Sequence, residues 1–97
     1  MPTYVMLNNF TQQGIQKIKD GPKRVDAARK TFRNMGGEIK AFYALSGQYD
    51  TLVLVEAPDD ETMARISLAI GALGNIRTQT MRAYTEKEYK KLIAALP

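Results

Sequence analysis

Ser46-Gly47-Gln48-Tyr49-Asp50-Thr51-Leu52-Val53-Leu54-Val55-Glu56 is the stretch on which the fold turns. A polar turn carrying a glycine, an aromatic ring and a carboxylate opens into a near-continuous apolar run. A run that short and that apolar reads as a strand covered on both faces, and so as a strand in the middle of a sheet. The turn then stands at the mouth of whatever that sheet encloses.

Working outward, Glu38 to Leu45 alternates, with Ile39, Ala41, Tyr43 and Leu45 on one side and Glu38, Lys40, Phe42 and Ala44 on the other. That is a half-exposed second strand. The first strand, about Thr3 to Phe10, is apolar through Leu7 and ends on Asn8-Asn9. Thr11 is placed to cap a short helical segment that Gly14 weakens and Asp20-Gly21-Pro22 interrupts. Asp20 or Gly21 then caps a second helix with Pro22 in its first turn and Val25, Ala28, Phe32 and Met35 as its apolar stripe. Gly36-Gly37 ends it.

Beyond the apolar strand, Asp59 is the expected cap of a helix whose buried stripe is Met63, Ile66, Ile70 and Leu73, stopped by Gly74-Asn75. Ile76 to Tyr84 is the most polar strand. Thr85-Glu86-Lys87-Glu88 has the form of a capping box before a last helix with Tyr89, Leu92, Ile93 and Leu96 on its apolar side.

The order strand, helix, strand, strand, helix, strand, plus a terminal helix, is the split βαββαβ pattern of a ferredoxin-like α+β domain spanning residues 1–97. This topology puts the first and third strands at the centre, read here as parallel to each other, and the second and fourth at the edges. Right-handed crossovers place both crossover helices on one sheet face. The central strands are apolar on both faces, so the second face needs a cover. A second copy, giving a dimeric α+β barrel, is the favoured cover; the terminal helix is the other.

Composition narrows the chemistry. At 97 residues the chain makes one small domain, a size at which disulfides, metals or oligomerisation often supply missing stability. It has no cysteine and no histidine, which removes disulfides, thiolate sites and the commonest general base and metal ligand. Neither a metal site nor a cofactor is expected, and no catalytic residue is assigned. The net charge of +4 is dispersed along the chain, unlike the dense basic stripe of a nucleic-acid reader, so direct nucleic-acid binding is not expected. No apolar run is long enough to span a membrane, and no signal sequence is evident, so the expected location is cytoplasmic.

The residues assembled so far resemble the GYD-domain family, named for a turn like Gly47-Gln48-Tyr49-Asp50. Val55 to Asp60, Gly74 to Thr80, and Tyr4 to Asn8 with Phe10-Thr11 and Gly14-Ile15 are also similar to that family. The chain is more distantly similar to the ligand-binding domain of Lrp/AsnC-type regulators, through the same turn and Thr78-Gln79-Thr80. That second likeness implies paired sheets and a small-molecule effector bound between subunits near the turn. Only two or three residues precede the first strand, so no operator-binding helix-turn-helix is expected.

Three functional readings follow. The leading one is a non-catalytic homo-oligomeric module that holds a small polar or anionic metabolite between subunits, with Gly47, Tyr49, Asp50, Arg77, Thr78 and Thr80 as the candidate ligand-binding residues. Arg77 offers a bidentate fork for a carboxylate or phosphate. A second is a small cofactor-free enzyme drawing acid/base chemistry from Asp50 and Tyr49 in the same pocket. The third is an assembly unit without a ligand, in which Gly47 supplies permissive φ, Asp50 accepts backbone amides and Tyr49 packs over the sheet edge.

Overall fold

Local capping chemistry fixes where three of the helices begin. In the computed structural model, which describes residues 1–97, Thr11 accepts from the Gly14 amide at the start of helix α1 (Gln12–Gln16). Asp59 accepts from the Thr62 amide at the start of α3 (Asp60–Gly71). Thr85 and Glu88 form a reciprocal capping box at the start of α4 (Glu86–Ala94). Caps of this kind contribute about 1 kcal/mol each. The donated amides hold the Asp59 and Glu88 carboxyls below their usual range. Helix α2 (Gly21–Asn34) differs: Pro22 lies in its first turn, but Asp20 makes no side-chain cap. A 3-10 turn over Ile18–Asp20 has already brought the backbone into helical geometry there.

Strands β1 (Thr3–Phe10), β2 (Glu38–Ala44), β3 (Thr51–Glu56) and β4 (Ile76–Ala83) form one sheet in the order β2-β3-β1-β4. The two apolar strands are central and the alternating and polar strands are at the edges, which is the ferredoxin-like arrangement. All neighbours are antiparallel, including β1 and β3. The expectation that the central strands run parallel is therefore corrected. The helical crossover returns β2 in the direction of β1, and the β2–β3 hairpin then reverses the chain.

A second correction concerns β2. Its register slips between Ile39 and Ala41, so that Ile39 stands opposite Val55 while Ala41 stands opposite Leu54. One extra residue inverts the alternation beyond it. Ile39 and Phe42 thus look toward the helices, and Ala41 and Tyr43 look to the other side.

The core lies between the helices and one sheet face. Phe32, Met6, Met63, Ile66 and Val55 are fully buried, joined by Tyr4, Ile39, Val53, Ala57 and Ile70. Of the expected α2 stripe only Phe32 is buried, while Ala28 and Met35 are partly covered. The N-terminal half of α2 stands off the sheet and leaves a cleft. Leu73, expected in the core, is exposed. Helix α4 buries none of its residues, and Tyr89, Leu92, Ile93 and Leu96 are all exposed. It does not cover the second sheet face.

Candidate functional site

The β2–β3 turn is fastened to the end of β1 by Asp50. Its amide donates to the Asn8 carbonyl at 2.9 Å, its carbonyl accepts from the Leu45 amide at 2.9 Å, and its Oδ2 accepts from the Phe10 amide at 2.9 Å. Asp50 therefore extends the β1–β3 ladder one step beyond the Asn8–Thr51 pair. Tyr49 goes the other way. Its hydroxyl donates to Oε1 of Gln79 at 2.8 Å, bridging from the turn beside β3 to β4. Leu7 pairs with both Leu52 and Gln79, so this bridge crosses the sheet at the level of that row.

Strand alternation sorts the remaining residues by face. The hydroxyls of Ser67 on α3 and Thr80 are 2.9 Å apart, which puts Thr80, and with it Thr78, on the helix side. Gln79, Arg77 and Met81 are on the open side. That side carries Val5, Leu7, Leu52 and Leu54 from the central strands, flanked by Ala41, Tyr43 and Met81. Tyr49, Gln79, Arg77 and Asn9 bound one end of this apolar field. Glu38 and Glu56, directly opposed in the β2–β3 register, bound the other. Arg77 takes part in none of the ion pairs, which are Lys40–Glu38, Arg65–Glu61 and Arg82–Glu88. Arg77 shares the open face of β4 with Gln79, two residues along the strand.

The six candidate residues do not converge within one chain. Gly47 and Tyr49 belong to the turn, with Tyr49 and Arg77 serving the open face. Asp50 borders the helix-side cleft under α2. Thr78 and Thr80 line a separate cavity of about 500 Å³ between α3 and β4. Gly47 adopts no positive φ, and a Cβ there would meet nothing within 4 Å. The turn does not use the permissive φ expected of it.

Tyr4 and Asp60 face that second cavity as a pair that sequence reasoning misses, being 56 residues apart with no sequence signal joining them. The Tyr4 hydroxyl donates to Asp60 Oδ1 at 2.5 Å, and the Arg82 guanidinium lies 5.7 Å from the ring centroid. Burial first, then the Asp60 hydrogen bond, push the Tyr4 hydroxyl up to about 12. A raised folded-state value favours the neutral phenol in the native state. Its contribution is complete below the ordinary value of 10.0 and is lost as pH rises from there toward 12. Unfolding free energy should accordingly fall over that window in urea titrations, and Tyr4→Phe should flatten the fall. An equally steep decline in the variant would assign the effect elsewhere. Gln79 is a further site residue absent from the sequence-derived candidates, though its phase with Arg77 on β4 is readable from alternation alone.

No three His, Cys, Asp or Glu side chains gather as a metal site, and no helix is long and apolar enough to cross a membrane. The geometry is that of a ferredoxin-like α+β domain with one sheet face packed and the other open. The GYD domain model matches residues 4–93, and the chain belongs to that family. It is 33% identical over 84 residues to the glutamine synthetase and cystathionine beta-lyase binding protein of Thermus thermophilus, covering 86% of this chain and 88% of that one. Among solved structures, MtbAldR superposes with a TM-score of 0.68 at 16% identity, over 88% of this chain and 52% of that chain. TTHA0845 from Thermus thermophilus gives 0.56 at 23% identity, over 88% of this chain and 95% of that one. A REP-associated tyrosine transposase gives 0.53 at 15% identity, over 95% and 62%. The structural likenesses are of fold.

Proposed function

We propose that this chain is a non-catalytic homo-oligomeric binding module that pairs its open sheet faces into a dimeric α+β barrel and holds a small anionic metabolite at the interface. The apolar open face carries the reading. Val5, Leu7, Leu52, Leu54 and Met81 form a sheet-wide field that neither crossover helix nor α4 covers. An interface of ordinary size buries ~800 Å² per partner, on the order of one face of a small four-stranded sheet. At the polar end of the field, the Arg77 fork supplies charge-assisted hydrogen bonds to a carboxylate, and the Tyr49–Gln79 bridge supplies polar partners beside it. A Gly47 without a side chain leaves the turn backbone open to close approach by ligand or partner subunit.

A second reading is favoured by a separate observation. The Thermus thermophilus relative is named for binding two enzymes, and α4 here exposes Tyr89, Leu92 and Ile93, with Leu96 exposed just beyond its end. Docking of a metabolic enzyme on α4 is compatible with sheet pairing, since the two surfaces are distinct. The acid/base alternative gains nothing from the geometry. Asp50 already accepts from the Phe10 amide, and the Tyr49 hydroxyl is turned to Gln79 on the open face.

A thermal-shift panel of amino acids and organic acids, read beside molar mass, tests the ligand. At least one acid should raise Tm with concentration. Arg77→Gln should weaken that response by about tenfold or more, the loss of a charge-assisted pair, at unchanged mass. Gly47→Ala should leave the unliganded Tm within a degree or two while blunting the response. A panel with no responder, or an Arg77→Gln variant that responds like wild type, contradicts the anion site.

A further inference from the structure

The gap under α2 is a site of its own. Its floor is Asn8 and Thr51 of the two central strands, its roof is Val25 and Ala28 of α2, and its mouth is Ala44 and Asp50. The cavity is about 680 Å³, within the size range of small-molecule sites, and most of its lining is apolar. Asn8 alternates in phase with the core residues Tyr4 and Met6 and is 3% exposed. Its Nδ2 donates to Thr51 Oγ1 at 3.1 Å, and its Oδ1 has no donor. It is the one buried side-chain polar atom in the molecule left without a partner. Such an atom costs free energy unless something satisfies it.

The geometry points to a binding site for an uncharged amphiphile, an apolar body ending in a hydroxyl or carboxamide head seated on Asn8 and Thr51. With Oδ1 free, Asn8 offers an acceptor, and the Thr51 hydroxyl, which already accepts from Nδ2, retains its own hydrogen as a donor. Turning the Asn8 amide over exchanges the two roles, yet still leaves one donor and one acceptor side by side. A hydroxyl or carboxamide complements that pair in either orientation. A carboxylate does not: it has no donor and would lose its hydration among apolar walls. Of the charged lining residues, Asp26 and Asp50 oppose it, while Arg24, the one cation, already donates to the Gly14 carbonyl at 3.1 Å. This site lies on the opposite sheet face from the interface proposed above and stands or falls independently of it.

The probes are 1-hexanol and hexanoate, which share a chain and differ in the head. Titrated into the full-length protein and followed by amide and methyl NMR, 1-hexanol should give saturable shifts at Val25, Ala28 and Thr51. Hexanoate should bind about tenfold more weakly or worse. Asn8→Leu should abolish the hexanol shifts. Ala44→Phe, which fills the mouth from an exposed position outside the core cluster, should do the same and serves if Asn8→Leu fails to fold. The site is refuted if 1-hexanol produces no saturable shift in the wild type, as expected of a cleft holding only water. Hexanoate binding as tightly as hexanol refutes it, and so does undiminished hexanol binding in Asn8→Leu or Ala44→Phe.

Discussion

Gly14→Ala is expected to lower the unfolding free energy by about 3 kcal/mol, the upper end of ordinary overpacking. Helix propensity argues the opposite, since alanine is favoured over glycine inside a helix by about 1 kcal/mol. Space decides the sign. A Cβ on Gly14 would lie 2.0 Å from the Asn75 carbonyl oxygen and 2.9 Å from its carbon, both backbone atoms. That carbonyl also accepts from the Thr11 amide at 3.1 Å, and the Thr11 hydroxyl donates to the Gly74 carbonyl at 2.5 Å. Gln13 adds bonds to the Leu73 carbonyl and the Asn75 side chain. Helix α1 is thereby locked onto the entry to β4, at the point where Gly74 takes a φ of +85°. An alanine must separate the two segments and loosen the lock. Gly71→Ala is the control, because a Cβ there meets nothing within 4 Å and needs no positive φ. Urea unfolding should show the first variant strongly destabilised and the second unchanged or slightly stabilised. Equal stability of Gly14→Ala and wild type would contradict the lock.

Leu54→Lys is expected to dissociate the proposed sheet-paired dimer without unfolding the protomer. Leu54 is half-buried on the open face of a central strand, opposite Val5 and Ala41. In a twofold pairing the substitution occurs twice, removing two apolar side chains from the interface and placing two like charges there. The loss should reach ~4 kcal/mol, roughly a thousandfold in Kd. In the separated protomer the lysine stem lies along the sheet with its ammonium in water, so Tm of the monomer should change little. A Leu54→Lys variant that keeps the wild-type mass would remove the open face from the interface.

Much of this architecture is written in the residues. The apolar runs of β1 and β3 announce central strands, and Thr11, Asp59 and Thr85 announce helix starts. The antiparallel central pair was also legible, because a crossover followed by a hairpin reverses β3 against β1 whatever the side chains. The bulge in β2 was not: Lys40 has neither the glycine nor the proline that would mark a slip in register. The stripe on α4 tells that one side is apolar but not whether the same chain or another covers it. Asn8 is the instructive case at the site level. A polar residue in phase with Tyr4 and Met6 is visible in sequence, yet its unpaired oxygen depends on the distance at which α2 stands from the sheet. Likewise Tyr49 and Asp50 are adjacent in the turn, and only the folded chain sends one to the open face and the other to the cleft side.

The pairing of open faces is tested most directly by light scattering on the wild-type protein as it elutes from a sizing column, at tens of micromolar and below. We expect a mass of twice the 97-residue chain, or an even multiple of it, that persists on dilution. A single species with the mass of one chain across that range would contradict the paired sheets and, with them, the metabolite site between subunits.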